Sequence, residues 1–128
     1  MDLLLDTCAL IYLCQNHSGF TSRAKQAVLD PENRCLVSIA SVWEMGIKLS
    51  LGKIKFDLPV DEFIEYHAKA YSLEILPIEI AHIVKISQFQ EAHKDPFDRL
   101  IIATGLVRSI PIVTADPRFV GFGVEVIW

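Results

Sequence analysis

The chain has 128 residues and a mass of 14.4 kDa, which sets one compact domain as the expectation, large enough to bury a core without a disulfide framework. With 52% hydrophobic and 22% charged residues it is too apolar to be intrinsically disordered. Mean hydropathy is +0.35, yet the longest apolar run, over residues 100–107 with Thr104 and Gly105 inside it, is far below the ~18–20 residues of a membrane span, and a net charge of −4 argues against broad coating of nucleic acid.

Short apolar runs alternate with helical stretches along the chain, the pattern of βαβ units and a parallel sheet. Leu3-Leu4-Leu5 reads as a first strand buried on both faces and ending at Asp6-Thr7. A helix carrying Ala9, Leu10 and Leu13 follows, then a break at residues 16–19 and a second helix with Ala24, Ala27 and Val28. Asp30-Pro31-Glu32-Asn33 is a turn, and Cys35-Leu36-Val37 the second strand. Ser38 or Ser41 caps the next helix, which runs through Trp43, Ile47 and Leu51 until Gly52. After Pro59 an acidic helix start leads to another helix ending near Tyr71, and residues 73–76 form a third strand closed by Pro77. Helical spacing returns over residues 79–89, and Asp95-Pro96 opens a helix with Leu100, Ile101, Ala103 and Leu106. Residues 111–114 and 124–126 complete the set, giving a doubly wound α/β fold of about five parallel strands flanked by helices.

The start of the chain lacks a basic segment and carries Asp2 and Asp6, unlike a secretory signal. Cys8, Cys14 and Cys35 match neither a CxxC pair nor zinc spacing and read as small buried hydrophobes in a reducing, cytoplasmic compartment.

Ligands of open parallel sheets bind outside the carboxyl ends of the strands, at a topological switch point. Asp6 follows the first strand directly and Asp116 follows the fourth by two residues. Glu44 falls in the second turn of the helix after the second strand, and Asp98 in the first turn of the helix leading into the fourth. Each acid also has an ordinary role. Asp6 can cap the first helix, Asp95 can cap the helix that contains Asp98, and Asp116-Pro117 can be a turn or the cap of a short helical piece. Glu44 has Lys48 four residues on, the spacing of a surface ion pair. Jointly they point elsewhere, because Glu44 lies among Val42, Trp43, Met45 and Ile47, and Asp98 among Phe97, Leu100, Ile101 and Ile102. Four ionised carboxylates about 6 Å apart repel by on the order of 15 kcal/mol at an effective dielectric of ~20. That rivals the stability of a whole domain, so such a cluster must take up protons or a cation.

Oxygen ligands with no nearby Cys or His pair favour Mg²⁺ or Mn²⁺ over Zn²⁺. A carboxylate-held ion can activate water and steady the leaving oxygen of a phosphodiester. Thr7 and Thr114, beside Asp6 and near Asp116, are candidates to hydrogen-bond a carboxylate or a metal-bound water. His93 reads as a solvent-exposed loop histidine.

Leu4-Leu-Asp-Thr-Cys-Ala-Leu10, Ser41-Val-Trp-Glu-Met-Gly-Ile-Lys48, His93-Lys-Asp-Pro-Phe-Asp-Arg-Leu-Ile-Ile-Ala103 and Ile112-Val-Thr-Ala-Asp116 occur in the order seen in PIN-domain proteins. From Asp6 to Phe119 the chain resembles, more narrowly, the VapC toxins of bacterial type II toxin–antitoxin systems. The resemblance implies a single PIN-like ribonuclease domain over residues 1–128, acting as a metal-dependent endoribonuclease. It implies that Asp6, Glu44, Asp98 and Asp116 hold Mg²⁺ or Mn²⁺, with Asp95 as an auxiliary. It further implies RNA as substrate, a cognate antitoxin that covers the site, and a toxin homodimer. Cys8 departs from the polar residue or His that relatives often carry there. In this light Lys48, Lys53, Lys55, Arg99 and Arg118 are candidate phosphate contacts, with Lys53 and Lys55 better read as solvated surface and Arg99 as an orienting partner of Asp98. Trp43, Phe97 and Phe119 are expected in the core rather than as platforms for bases.

Two other classes fail on residues. A phosphorylation-controlled receiver domain needs an acceptor Asp after the third strand, where the chain reads Leu76-Pro77-Ile78-Glu79. A haloacid-dehalogenase-type phosphatase needs Asp-x-Asp, where the chain reads Asp6-Thr7-Cys8. The remaining alternative is a catalytically silent PIN-like module that binds a partner or nucleic acid.

Overall fold

Three consecutive leucines leave β1 (Asp2–Leu5) with no face suited to water, and it forms the central strand of the sheet. The computed structural model describes residues 1–90 and 93–128. After β1 come α1 (Thr7–Cys14), α2 (Ser22–Leu29), β2 (Arg34–Ser38), α3 (Ile39–Ser50), α4 (Val60–Ala70) and β3 (Glu74–Leu76). Then follow α5 (Ile80–Ser87), α6 (Pro96–Arg108), β4 (Ile112–Val113), a 3-10 helix (Pro117–Phe122) and β5 (Val126–Ile127). The strands form one five-stranded sheet of order β3-β2-β1-β4-β5 in which every neighbouring pair is parallel.

The period-two alternation of a strand divides the core between two layers. Leu3, Leu5, Cys35, Val37 and Val113 face a layer made by α1, α2, Met45 of α3 and Phe63 of α4. Leu4, Leu36, Leu76 and Ile112 face the opposite layer, where Ile101 and Ile102 of α6 meet Phe119 and Phe122 of the 3-10 helix. Cys35 is buried, Cys8 and Cys14 are half-buried, and all three are free thiols. Among the described residues no helix is long and apolar enough to cross a membrane.

The strand bounds differ from the sequence reading, most of all at the end of the chain. The fourth pairs only over Ile112–Val113, and the last lies at Val126–Ile127 rather than over residues 124–126. Gly123, at φ 83°, ends the 3-10 helix in a left-handed turn, which sends Val124 into the second core layer instead of the sheet.

Side-chain caps fix where the helices begin. Asp6 accepts from Ala9, Ser38 from Ala40 and Asp95 from Asp98, each contributing about 1 kcal/mol. Ser38 is therefore the cap of α3, and Ser41 is fully buried beneath it. Because crossover helices run antiparallel to the strands they connect, α1, α3 and α6 all start at the carboxyl edge of the sheet. Asp98 reaches that edge because it lies in the first turn of α6.

Helix α6 lies so close to β4 that Gly105 has no room for a side chain: a Cβ there would fall 2.8 Å from Ile112 Cδ1 and 2.9 Å from its Cγ1. Ile112 is fully buried and cannot yield freely. Gly105→Ala is expected to lower stability by about 1–2 kcal/mol in urea unfolding, overpacking outweighing the gain in helix propensity.

Candidate metal centre

The sheet winds outward in both directions from the seam between β1 and β4, and the chain leaves that seam carrying Asp6 on one side and Asp116 on the other. Asp6 is 4% exposed. Its Oδ1 accepts from the Ala9 N–H at 2.7 Å and its Oδ2 from the Thr114 hydroxyl at 2.5 Å. Thr114 Oγ1 in turn accepts from the Asp116 N–H at 3.0 Å, so one hydroxyl ties together the loops after both strands. Asp116 caps the 3-10 helix and holds Arg118: Oδ1 accepts from the Arg118 N–H at 2.9 Å, and Oδ2 from its Nη2 at 2.7 Å.

Asp98 sits in the first turn of α6, and its Oδ2 lies 2.8 Å from His93 Nε2. Glu44 projects from α3 with its side chain 14% exposed. Its Oε2 pairs with Lys48 Nζ at 3.1 Å, whereas its Oε1 is buried with no hydrogen-bond partner. The four acids line a single cleft of about 370 Å³ together with Lys48 and Asp95. A larger cavity of about 560 Å³ is lined by Cys14, Phe56, Phe63 and Tyr66, with Asp57 as its one acid, and offers no converging carboxylates.

Burial pushes the Asp6 carboxyl up to about 6, against the lowering pull of Thr114 and Ala9, and the negative charges of Asp98 and Glu44 add to the rise. Asp98 is also raised, chiefly by burial, with His93 opposing and Asp95 and Glu44 adding. Asp116 goes the other way, held below its usual range by the Arg118 guanidinium. The N-termini of α1, α3 and α6 point toward the same edge and offset part of the negative charge. Two carboxyl groups resisting ionisation, an unsatisfied buried oxygen on Glu44 and an otherwise oxygen-rich donor set fit a divalent cation.

The structure brings Asp6, Glu44, Asp98 and Asp116 together and leaves Asp95 in its capping role at their border. The Glu44–Lys48 pair exists, and it borders the cleft, with Glu44 turned in and Lys48 at the rim. Thr114 bonds directly to Asp6, whereas the Thr7 hydroxyl donates to Ser41 Oγ at 2.9 Å.

Three other readings are corrected. His93 is not a solvent-exposed loop residue: its side chain is 5% exposed, because Phe119 and Phe122 of the 3-10 helix wall it in at ring distances of 6.3 and 6.4 Å. Arg99 does not orient Asp98; it donates to the carbonyls of His93 and Ile86 and lies over the Phe89 ring, bracing the approach to α6. Trp43 is 61% exposed rather than in the core, since α3 turns Ala40, Ser41 and Met45 inward and sets Trp43 edge-on against half-buried Phe97. Phe119 is fully buried as expected. His93 is the site residue that sequence reasoning missed. No residue close to it in sequence marks its burial, which Phe119 and Phe122 supply.

The PIN domain family model matches residues 3–124. Among solved structures, the chain is similar to VapBC2 from Rickettsia felis bound to a DNA fragment from its promoter (TM-score 0.74, 15% identity, 98% of this chain and 97% of that one). It is similar also to VapBC-1 from nontypeable Haemophilus influenzae (TM-score 0.69, 17% identity, 98% and 96%). A toxin–antitoxin complex from Klebsiella pneumoniae shares 24% identity at a TM-score of 0.57 over 93% of this chain and 91% of that one. At these identities the likeness is one of fold. No curated protein sequence is a significant match.

The folded-state pKa of Asp6 lies above its ordinary value of 3.8, so ionising it costs stability above about pH 6 and nothing below about pH 4. Asn caps helices as well as Asp and carries no charge. In metal-free protein, Asp6→Asn is expected to raise stability by about 1–3 kcal/mol at neutral pH, and the gain should vanish near pH 4. Urea unfolding at the two pH values, in the presence of a chelator, measures it.

Proposed function

The chain belongs to the PIN-domain family, and on that premise we propose that residues 1–128 form a ribonuclease domain that acts as a metal-dependent endoribonuclease toxin in the cytoplasm. The observation that carries the reading is the convergence of Asp6, Glu44, Asp98 and Asp116, from four separate segments, on one cleft. They would hold Mg²⁺ or Mn²⁺, which when bound supplies an activated water and charge stabilisation at the leaving oxygen of a phosphodiester.

The chain's own groups prepare that chemistry. Thr114 and the N–H of Ala9 hold both oxygens of Asp6, which keeps the carboxylate from turning toward solvent. Lys48 and Arg118 stand at the rim, each already beside an acid, where a phosphate on RNA would meet a positive charge. Arg99 and Lys55 are not part of this rim, since Arg99 is turned inward and Lys55 lines the other cavity. The helix N-termini give fixed partial charges that need no reorganisation during reaction.

The partners in this proposal are an antitoxin that covers the cleft and a second copy of the toxin. Solved neighbours of this fold are toxin–antitoxin complexes, which supports the first. Support for the second is the apolar face of α5, where Ile80 is 83% exposed beside Ile83 and Val84.

Purified protein should cut single-stranded or structured RNA with Mg²⁺ or Mn²⁺ and stop when the ion is chelated. Asp6→Asn and Asp98→Asn should each slow cleavage by roughly 10²-fold or more. Full activity in either variant rejects the assignment, and intact RNA with metal bound returns the catalytically silent binding module.

A further inference from the structure

The acidic cluster is backed by one nitrogen donor. His93 lies just behind the wall that Asp98 and Asp116 give to the cleft, its Nε2 2.8 Å from Asp98 Oδ2 and 3.9 Å from Asp116 Oδ2. One ligand atom from each of the three residues lies within 4.8 Å of the other two. Donors bound at about 2.0–2.2 Å from a common ion stand roughly 3–4 Å from one another, so these separations are near those of a coordination shell. The imidazole is not free to wander. Its ring is enclosed by Phe119 and Phe122, and its backbone carbonyl accepts from Arg99. Arg118 holds Asp116 Oδ2 from the exposed side through Nη2 at 2.7 Å and Nε at 3.2 Å, so an ion that binds this oxygen displaces part of that pairing by a flexible, solvent-exposed side chain.

We propose that His93, Asp98 and Asp116 form a mixed nitrogen–oxygen cation subsite, with His93 Nε2 a direct ligand, and that this donor makes the protein select Mn²⁺ over Mg²⁺. The proposal rests on the metal-site reading given above and adds a ligand to it. Mg²⁺ is hard, prefers oxygen and keeps its waters, so it gains little from an imidazole. First-row divalent ions gain more, in the order of the Irving–Williams series, and among them Mn²⁺ also accepts carboxylates readily.

Pulsed electron paramagnetic resonance of Mn²⁺ bound to the whole protein reads the ligand directly, without any measurement of activity. The expected spectrum shows coupling to an imidazole nitrogen that changes on ¹⁵N-histidine labelling and is absent in His93→Gln. Titration should show His93→Gln weakening Mn²⁺ by roughly tenfold or more, while Mg²⁺ affinity moves by less than about threefold. Mn²⁺ that binds, depends on Asp98 as judged by Asp98→Asn, and shows no nitrogen coupling overturns the proposal. It would make His93 a residue that only positions Asp98, and leave the acidic site intact. Nitrogen coupling that persists in His93→Gln overturns it as well, by placing the ion at another histidine. Failure of the unaltered protein to bind Mn²⁺ at all removes both this proposal and the metal site beneath it. If His93→Gln does not fold, the spectrum of the labelled wild-type protein and the loss of its signal in Asp98→Asn decide the matter.

Discussion

The hydrogen bond from Thr114 to Asp6 closes the seam between β1 and β4, and the acidic cleft exists because the sheet reverses its winding at that seam. Strands added beyond β1 and beyond β4 carry the chain away in opposite directions, so the loops at their carboxyl ends part and leave a crevice. A crevice of this kind is partly shielded from water yet ringed by helix N-termini, which lowers the cost of seating several carboxylates there. Capping geometry, side-chain pairing and the raised carboxyl groups all follow from that placement.

The four acids meet the cost of crowding in different ways. Glu44 leans on Lys48, Asp116 on Arg118 and Asp98 on His93. Asp6 is held by a hydroxyl and a backbone N–H, with no cationic side chain paired to it among the described residues. Its burial pushes its carboxyl up to about 6. Arg118 and Lys48 are surface-reaching groups on flexible stems and can be displaced, whereas His93 is fixed by aromatic walls. The cleft thus combines replaceable positive partners at its rim with a buried nitrogen behind it.

Much of this was legible in the sequence, for reasons that are local. Leu3-Leu4-Leu5 and Cys35-Leu36-Val37 carry no polar residue, so their burial on both faces follows from composition alone. Asp6, Ser38 and Asp95 stand immediately before helical periodicity, and each caps. The convergence of the acids followed from the rule that parallel sheets place helix starts at one edge. What escaped was set by contacts distant in sequence. His93 is buried by a 3-10 helix more than twenty residues further on, and no neighbour of His93 announces it. Trp43 looked like core because its flanks are apolar, but only the packing angle of α3 decides which side of the helix is covered. Gly123 displaced the last strand through a backbone conformation that composition does not specify.

The central strand belongs to both layers, with Leu3 and Leu5 turned one way and Leu4 the other. Neither half of the interior can therefore come apart while the other persists, and the loop that bears Asp6 is anchored directly to that shared element. Loss of structure should accordingly be all-or-none, so that an event confined to a few side chains at the sheet's edge is registered by the melting of the entire molecule.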